Sequence, residues 1–300
     1  VEKMSDGRLK VRIDSANKHK APLGVFDMVK AGQYDMGHSA SYYWKGKVPE
    51  TLFFTSMPFG MNAMEQYAWF YHGEGMELMQ KVYEPYCMLS FPGGNTGNQM
   101  GGWFREEIKG PEDLKGLKMR FFALGAKVME KLGVSTQLLA GGDIFPALEL
   151  GTIDVTEYSM PVIDLNQGFY QIAKNNYFPG WHQQVSVSHL LINMDKWNGL
   201  SDQNQALLEI GAGESLMYIY AETEYVNPYA MVEMGEKYGV ITRRWRDDQI
   251  AVFEAAWNEV VAEDSAKDPL FKKVADSYFS FRKDYKKWGD AQSLKATYLD

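Results

Sequence analysis

The sequence predicts an α/β protein of two lobes joined by crossing strands, and three observations carry that reading. Short apolar stretches of strand character alternate with amphipathic helical stretches along most of the chain, the order that gives largely parallel sheets. The 300 residues exceed the usual size of a single domain. No internal repeat and no low-complexity linker divides them, so the lobes share strands rather than hang on a tether.

The first residues, "VEKMSDG", read as the last turns of a helix stopped by Gly7 in a left-handed conformation. An opening inside a helix implies a first strand ahead of Val1. "RLKVRID" alternates Leu9, Val11 and Ile13 with polar residues, the period of a strand. "LGVFDMVKAG" is a short helix ending at Gly32, and "QYDMGHS" a strand running into a loop. "EQYAWFYHGEGMELMQKVYEPY" is helical and "CMLSFP" a strand, in which Cys87 is expected as a small buried side chain. "GPEDLKG" is a turn into the strand "LKMRFF"; "AKVMEKLG" and "DIFPALELG" are helices closed by Gly133 and Gly151, each followed by a strand. "VSVSHLLINMDKW" contains a long strand. The region from "SDQNQ" to "EKYG" is a long helix, and the C-terminal stretch from "QIAVFE" to "DAQSL" is helical for over forty positions. The expected division puts 1–90 and 190–240 in one lobe, and 91–189 with 241–300, including the C-terminal helix, in the other.

Composition narrows the function. Net charge is −8 with a sequence pI near 5.3, which argues against a nucleic-acid partner, since phosphates call for a basic face. A single cysteine forms no intrachain disulfide and leaves the compartment open. No apolar run approaches the ~20 residues of a membrane span, and no signal peptide is visible. With 14% aromatic residues, there is material to line a cleft as well as a core.

Arg120 lies in the strand "LKMRFF". Its guanidinium fork fits a carboxylate with two parallel hydrogen bonds, although a structural partner for a sheet arginine is the competing reading. "FPGGNTGNQMGGW" lacks the Lys-Ser/Thr ending of a phosphate loop, and its glycines permit tight turns; Gln99 there offers a carbonyl oxygen to a hard cation. Glu157, in "TIDVTEYSMP", stands at a strand end, where open α/β sheets present ligand-binding groups. Gln183 in "FPGWHQQ" adds another oxygen. Gln99, Glu157 and Gln183 with a backbone carbonyl suit sodium or calcium and not zinc. Catalytic patterns are thin: there is no HExxH, no GxSxG, and His38 and His182 read as polar cleft walls or satisfied core histidines.

Taken together, "GHSASYYWKGK", "PFGMNAMEQYAW", "GNTGNQMGGWFR", "DLKGLKMR", "ALELGTIDVTEYS" and "YFPGWHQ" resemble the solute-binding proteins of TRAP transporters, over nearly the whole chain. They are most similar to the subgroup that takes 2-oxo and 2-hydroxy acids, such as pyruvate and lactate, through a bound cation. The resemblance implies a two-lobed periplasmic binding protein fold with mixed, largely parallel sheets and a long C-terminal helix, no enzyme activity, a periplasmic location, and membrane subunits as partners. It implies Arg120 as the carboxylate clamp, and Gln99, Glu157, the main-chain oxygen of Tyr158 and Gln183 as ligands of a sodium or calcium ion. Tyr158 stands where a tryptophan is expected and Gln183 where a glutamate is expected, so the site has one negative charge fewer and leans to sodium. Tyr42, Tyr43, Phe59, Asn98 and Phe178 complete the expected ligand contacts, and a homodimer through the aromatic C-terminal helix is implied. A bulkier 2-oxo acid as ligand, and a metal-dependent enzyme acting on 2-oxo acids, are the alternatives; the enzyme lacks a candidate base.

Overall fold

A computed structural model describes residues 1–292. The chain runs through α1 (Val25–Lys30), β1 (Met36–Ala40), α2 (Leu52–Thr55), α3 (Ala63–His72), α4 (Gly75–Tyr83), β2 (Met88–Asn95) and β3 (Gly102–Phe104). It continues with β4 (Lys118–Arg120), α5 (Ala123–Lys131), β5 (Ser135–Gln137), α6 (Gly141–Glu149), β6 (Val155–Thr156), α7 (Pro161–Gln167) and β7 (Asn175–Phe178). The last elements are β8 (Val187–Asn193), α8 (Met194–Asn198), α9 (Asp202–Tyr238), β9 (Ile241–Arg244), α10 (Asp247–Lys267) and α11 (Pro269–Gln292).

Two sheets organise these elements. One has the order β1-β8-β2, with both pairings antiparallel; the other has the order β5-β4-β6-β3-β7-β9. In the second sheet β4 runs parallel to β5 and β6, β7 runs parallel to β9, and β3 is antiparallel to both its neighbours. Among the described residues the sheets are mixed, as expected, with three parallel pairings, all in the second sheet, and four antiparallel ones. The chain passes between the sheets three times, through 95–102, through 178–187, and through the helical stretch 193–241.

Several local expectations hold. Gly7 closes one short helical turn at φ 75, Gly32 ends α1 at φ 68, and α9 spans 37 residues as a single helix despite Pro228. The differences have physical causes. Residues 8–14 form no strand: they pair with no neighbour among the described residues, and Ile13 is 82% exposed, so period-two alternation alone did not supply a ladder. Cys87 is exposed and not buried; it ends a short helical turn at φ 55, a left-handed position that turns its side chain out of the following strand. The C-terminal helical stretch is two helices. Asp268 adopts extended backbone ahead of Pro269, as the residue before proline prefers, and its Oδ1 accepts from the Leu270 and Phe271 N–H groups at 2.8 and 3.1 Å.

Helix α10 packs on α5. Helix α11 lies against α2, α3 and α4: Phe271 and Tyr278 pack on Phe53 with tilted rings, and the Tyr278 hydroxyl accepts from the Met61 N–H at 2.8 Å. The end of the expected second lobe, 293–300, lies outside the described residues.

Candidate ligand and cation site

The site begins with the parallel pair β4 and β6. Arg120 is opposite Thr156 in their register, and the Glu157 N–H donates to the Arg120 carbonyl at 3.0 Å, so both side chains leave the sheet at the carboxyl ends of adjacent strands. That is where open α/β sheets gather ligand groups. Arg120 and Glu157 are buried, with side chains 4% and 5% exposed, and paired: Nη1 donates to Glu157 Oε2 at 3.1 Å and to the Glu157 carbonyl at 2.5 Å. Nε reaches the Leu139 carbonyl at 3.4 Å, while Nη2 makes no hydrogen bond among the described residues. The guanidinium lies 5.1 Å from the centre of the Tyr158 ring, a cation–π contact. Thus the structural partner and the ligand clamp are compatible roles: one nitrogen is committed to Glu157, the other is free for an incoming carboxylate.

The loop after β2 brings Gln99 to Glu157. Asn95 Oδ1 accepts from the Gly97 and Ser186 N–H groups at 2.8 and 3.1 Å, the Gln99 N–H donates to Gln183 O at 3.1 Å, and the Met100 N–H to Ser159 O at 3.2 Å. Gly180 faces the Gln99 carbonyl so closely that a Cβ would collide with it. The Gln99 amide oxygen then meets Glu157 Oε1 and lies 3.1 Å from the Tyr158 carbonyl, acceptor against acceptor, with its nitrogen 3.0 Å from Gln183 Nε2. Turning the amide over would convert these contacts into hydrogen bonds; a cation among the three oxygens reconciles them as they stand. Gln183 Nε2 donates to Ser186 Oγ at 2.8 Å, leaving its oxygen unengaged by hydrogen bonds among the described residues. This donor set of one carboxylate, two amides and one main-chain carbonyl fits a hard cation, and no cluster of three or more His, Cys, Asp or Glu side chains suited to a metal occurs among the described residues.

The opposite wall comes from the helical turn 41–44. Tyr42 and Tyr43 pack edge to face at 4.7 Å, Tyr43 stacks on Phe122 at 5.6 Å, and Lys45 Nζ donates to the Ala123 carbonyl at 3.0 Å, drawing this turn onto the start of α5. Burial first, then Tyr43 and Glu157, pushes the Tyr42 hydroxyl well above its ordinary pKa, which places Tyr42 within electrostatic reach of the pair. A cavity of about 580 Å³ runs alongside, lined by Tyr43, Leu139, Gly141 and Tyr158 on one side and by Val25, Met28 and His38 on the other. Tyr158 lines it and Arg120 does not, and a Cβ at Gly141 would strike the Tyr158 hydroxyl.

Among the expected contacts, Arg120, Glu157, Tyr158, Gln99 and Gln183 come together, with Tyr42 and Tyr43 facing them. The other three have contacts of their own. Asn98 is exposed and donates to Gln184 Oε1 at 3.3 Å; Phe178 packs in a hydrophobic cluster with Met100 and Trp103; Phe59 lies against Trp181 and donates its N–H to the Trp181 carbonyl at 2.8 Å. Sequence reasoning missed Phe122 and Lys45, whose roles depend on cleft geometry. It also missed Asp164, buried behind Tyr158 and accepting from Trp103 Nε1 at 2.8 Å, whose carboxyl burial pushes well above the usual range. His182 is buried, and among the described residues neither ring nitrogen makes a well-formed hydrogen bond, although Nε2 lies 3.3 Å from Glu157 Oε1.

Residues 1–268 match the DctP family, described as bacterial extracellular solute-binding protein, family 7. The chain belongs to this family. The monocarboxylate 2-oxoacid-binding periplasmic protein of Nostoc sp. PCC 7120 is 37% identical over 294 residues, 98% of this chain and 80% of that one. A TRAP periplasmic solute-binding protein of Pseudoalteromonas atlantica T6c, solved with bound sodium and pyruvate, is 42% identical over 98% of this chain and 91% of its own, with a TM-score of 0.93. One from Colwellia psychrerythraea, solved with bound calcium and pyruvate, is 43% identical over 97% and 89%, with a TM-score of 0.94. The receptor is accordingly a two-lobed, extracytoplasmic TRAP solute-binding protein, and its relatives are binding proteins rather than enzymes.

Proposed function

We propose that this receptor binds a small 2-oxo or 2-hydroxy monocarboxylate, of the pyruvate type, together with one cation, and hands it to TRAP membrane subunits. The observation that carries the proposal is the buried Arg120–Glu157 pair at 3.1 Å, with the Gln99 amide oxygen and the Tyr158 carbonyl converging on the same carboxylate. A 2-oxo acid places a carboxylate next to a carbonyl oxygen. Arg120 Nη2 would take the carboxylate, and the cation held by Gln99, Glu157, the Tyr158 carbonyl and Gln183 would take both ligand oxygens. Arg120 and Glu157 cancel in charge, so a monoanion with a monovalent cation leaves the cleft neutral; this favours sodium, and calcium would leave one positive charge over. Calorimetric titration with pyruvate in sodium buffer, and again with choline in place of sodium and calcium chelated, tests this. Binding that disappears without the cation is expected; equal binding by dicarboxylates or sugar acids with no cation effect would overturn it.

A second reading, a bulkier branched or aromatic 2-oxo acid, draws on the cavity of about 580 Å³ beyond Tyr158, lined by Leu139, Val25 and Met28 and far larger than a three-carbon acid needs. A series of 2-oxo acids of increasing side-chain length separates the two. The same proposal includes a homodimer through α11. Phe271, Val274, Tyr278, Phe281, Tyr285 and Trp288 repeat at alternating spacings of three and four; the first three are buried on the chain's own body, whereas Trp288 is 60% exposed. One apolar stripe that outruns its own support fits a second copy.

A further inference from the structure

His182 sits where the two halves of the candidate site meet, between Trp181 of the crossing segment and Gln183 of the cation set. Its ring is 5% exposed and wedged edge-on against Phe121 at 4.7 Å and Trp181 at 5.6 Å. Gly125 lies against it: a Cβ there would come within 3.1 Å of the His182 Cβ. Yet among the described residues neither Nδ1 nor Nε2 makes a well-formed hydrogen bond. A buried polar ring without partners is rare enough to need a reason. Nε2 lies 3.3 Å from Glu157 Oε1, the oxygen that faces the Gln99 amide, while Arg120 holds the other oxygen, Oε2.

We infer that His182 is a positioning residue for the cation: its Nε2–H fixes the second oxygen of Glu157. Arg120 on Oε2 and His182 on Oε1 then clamp the carboxylate from both ends and set its rotation. A carboxylate free to rotate would present Oε1 to the Gln99 and Tyr158 oxygens only part of the time, and cation affinity would fall by that fraction. Among the described residues His182 makes its ring and charge contacts with Phe121, Trp181 and Glu157 and none with Arg120 Nη2, Tyr42 or Tyr43, so its effect is expected to reach the organic anion through the cation. This inference rests on the cation-assisted reading of the site, which its test examines separately.

The test uses the full chain with two substitutions. His182→Phe keeps a ring against Phe121 and Trp181 but has no donor; His182→Gln places an amide N–H where Nε2 stands. Calcium chloride alone is titrated calorimetrically into each, and sodium is followed by the shift in melting temperature; pyruvate is then titrated at low and at saturating cation. His182→Phe should need about tenfold more cation for half-saturation, His182→Gln should stay within about threefold of the wild type, and at saturating cation all three should bind pyruvate alike. A cation requirement unchanged in His182→Phe overturns the inference, as does an equal loss in both variants, which would make the role one of packing. Pyruvate binding that stays weak in His182→Phe at saturating cation also overturns it, in favour of direct contact with the acid. Wild-type protein that binds cation but no 2-oxo acid would sink the ligand assignment while leaving the cation comparison decisive.

Discussion

At the scale of single residues, the site turns on groups that are costly when left alone. Arg120 and Glu157 are both buried, so removing one strands the other's charge in a poorly solvated place. Arg120→Ala is expected to abolish pyruvate binding and to lower the melting temperature of the ligand-free protein, with a stability loss of about 2–5 kcal/mol measured by denaturant unfolding. Arg120→Lys keeps the charge but not the fork, and should retain stability better than affinity. A second buried acid gives a pH signature. Burial, with Asp268 adding to it, raises Glu50 to about 7, whereas an unfolded glutamate titrates near 4.5. A carboxyl raised in the folded state is favoured while protonated, so its stability contribution is intact below about pH 4.5 and is lost as pH rises through about 7, on the order of 3 kcal/mol in all. His189, lowered by burial to about 4, acts in the opposite sense on acidification, so the wild-type curve alone is not diagnostic. The difference between wild type and Glu50→Gln is: the variant should gain on the wild type between pH 5 and 8, and parallel curves would contradict the assignment.

At the scale of elements, the sequence revealed what depends on local pattern and hid what depends on neighbours. The helix-closing glycines, the long α9 and the strands carrying Arg120 and Glu157 were legible because capping and periodicity are local. Residues 8–14 alternated as a strand does but found no ladder, and Cys87 lay in an apolar run yet faces solvent; pairing and burial are tertiary properties that alternation does not encode. The same division runs through the site. Arg120, Gln99, Glu157 and Gln183 could be named because arginine and amide or acid oxygens announce their chemistry, whereas Asn98, which donates to Gln184, and Phe178, in a hydrophobic cluster, have surroundings that residue type alone does not reveal. Phe122, Lys45 and His182 gained meaning only from the residues placed opposite them. Element geometry also makes a prediction at α6. Gly141 opens this helix against the Tyr158 hydroxyl, so Gly141→Ala should push the Tyr158 ring over Arg120 and weaken pyruvate binding while leaving the melting temperature within a few degrees.

At the scale of the whole molecule, closure and assembly are the relevant motions. The turn 41–45 reaches α5 through Tyr43 on Phe122 and Lys45 on the Ala123 carbonyl, contacts that bridge the two sheets' sides across the cleft. Phe122→Ala removes the stacking surface and should shift the protein to a more open form, seen as a larger radius of gyration by small-angle scattering without ligand and a weaker compaction on adding pyruvate with sodium. For assembly, Trp288→Glu interrupts the exposed end of the α11 stripe; the wild type should sediment as a dimer and the variant as a monomer.

The central claim is that one guanidinium and one cation recognise the same organic acid. A crystal structure of the receptor grown with calcium and pyruvate tests it most directly, because calcium is visible by its anomalous scattering. The account predicts the ligand carboxylate about 2.8 Å from Arg120 Nη2, and the ion about 2.3–2.6 Å from Glu157, Gln99 and the Tyr158 carbonyl. Pyruvate bound elsewhere, or bound there with Arg120 turned away and no ion beside Glu157, would contradict it.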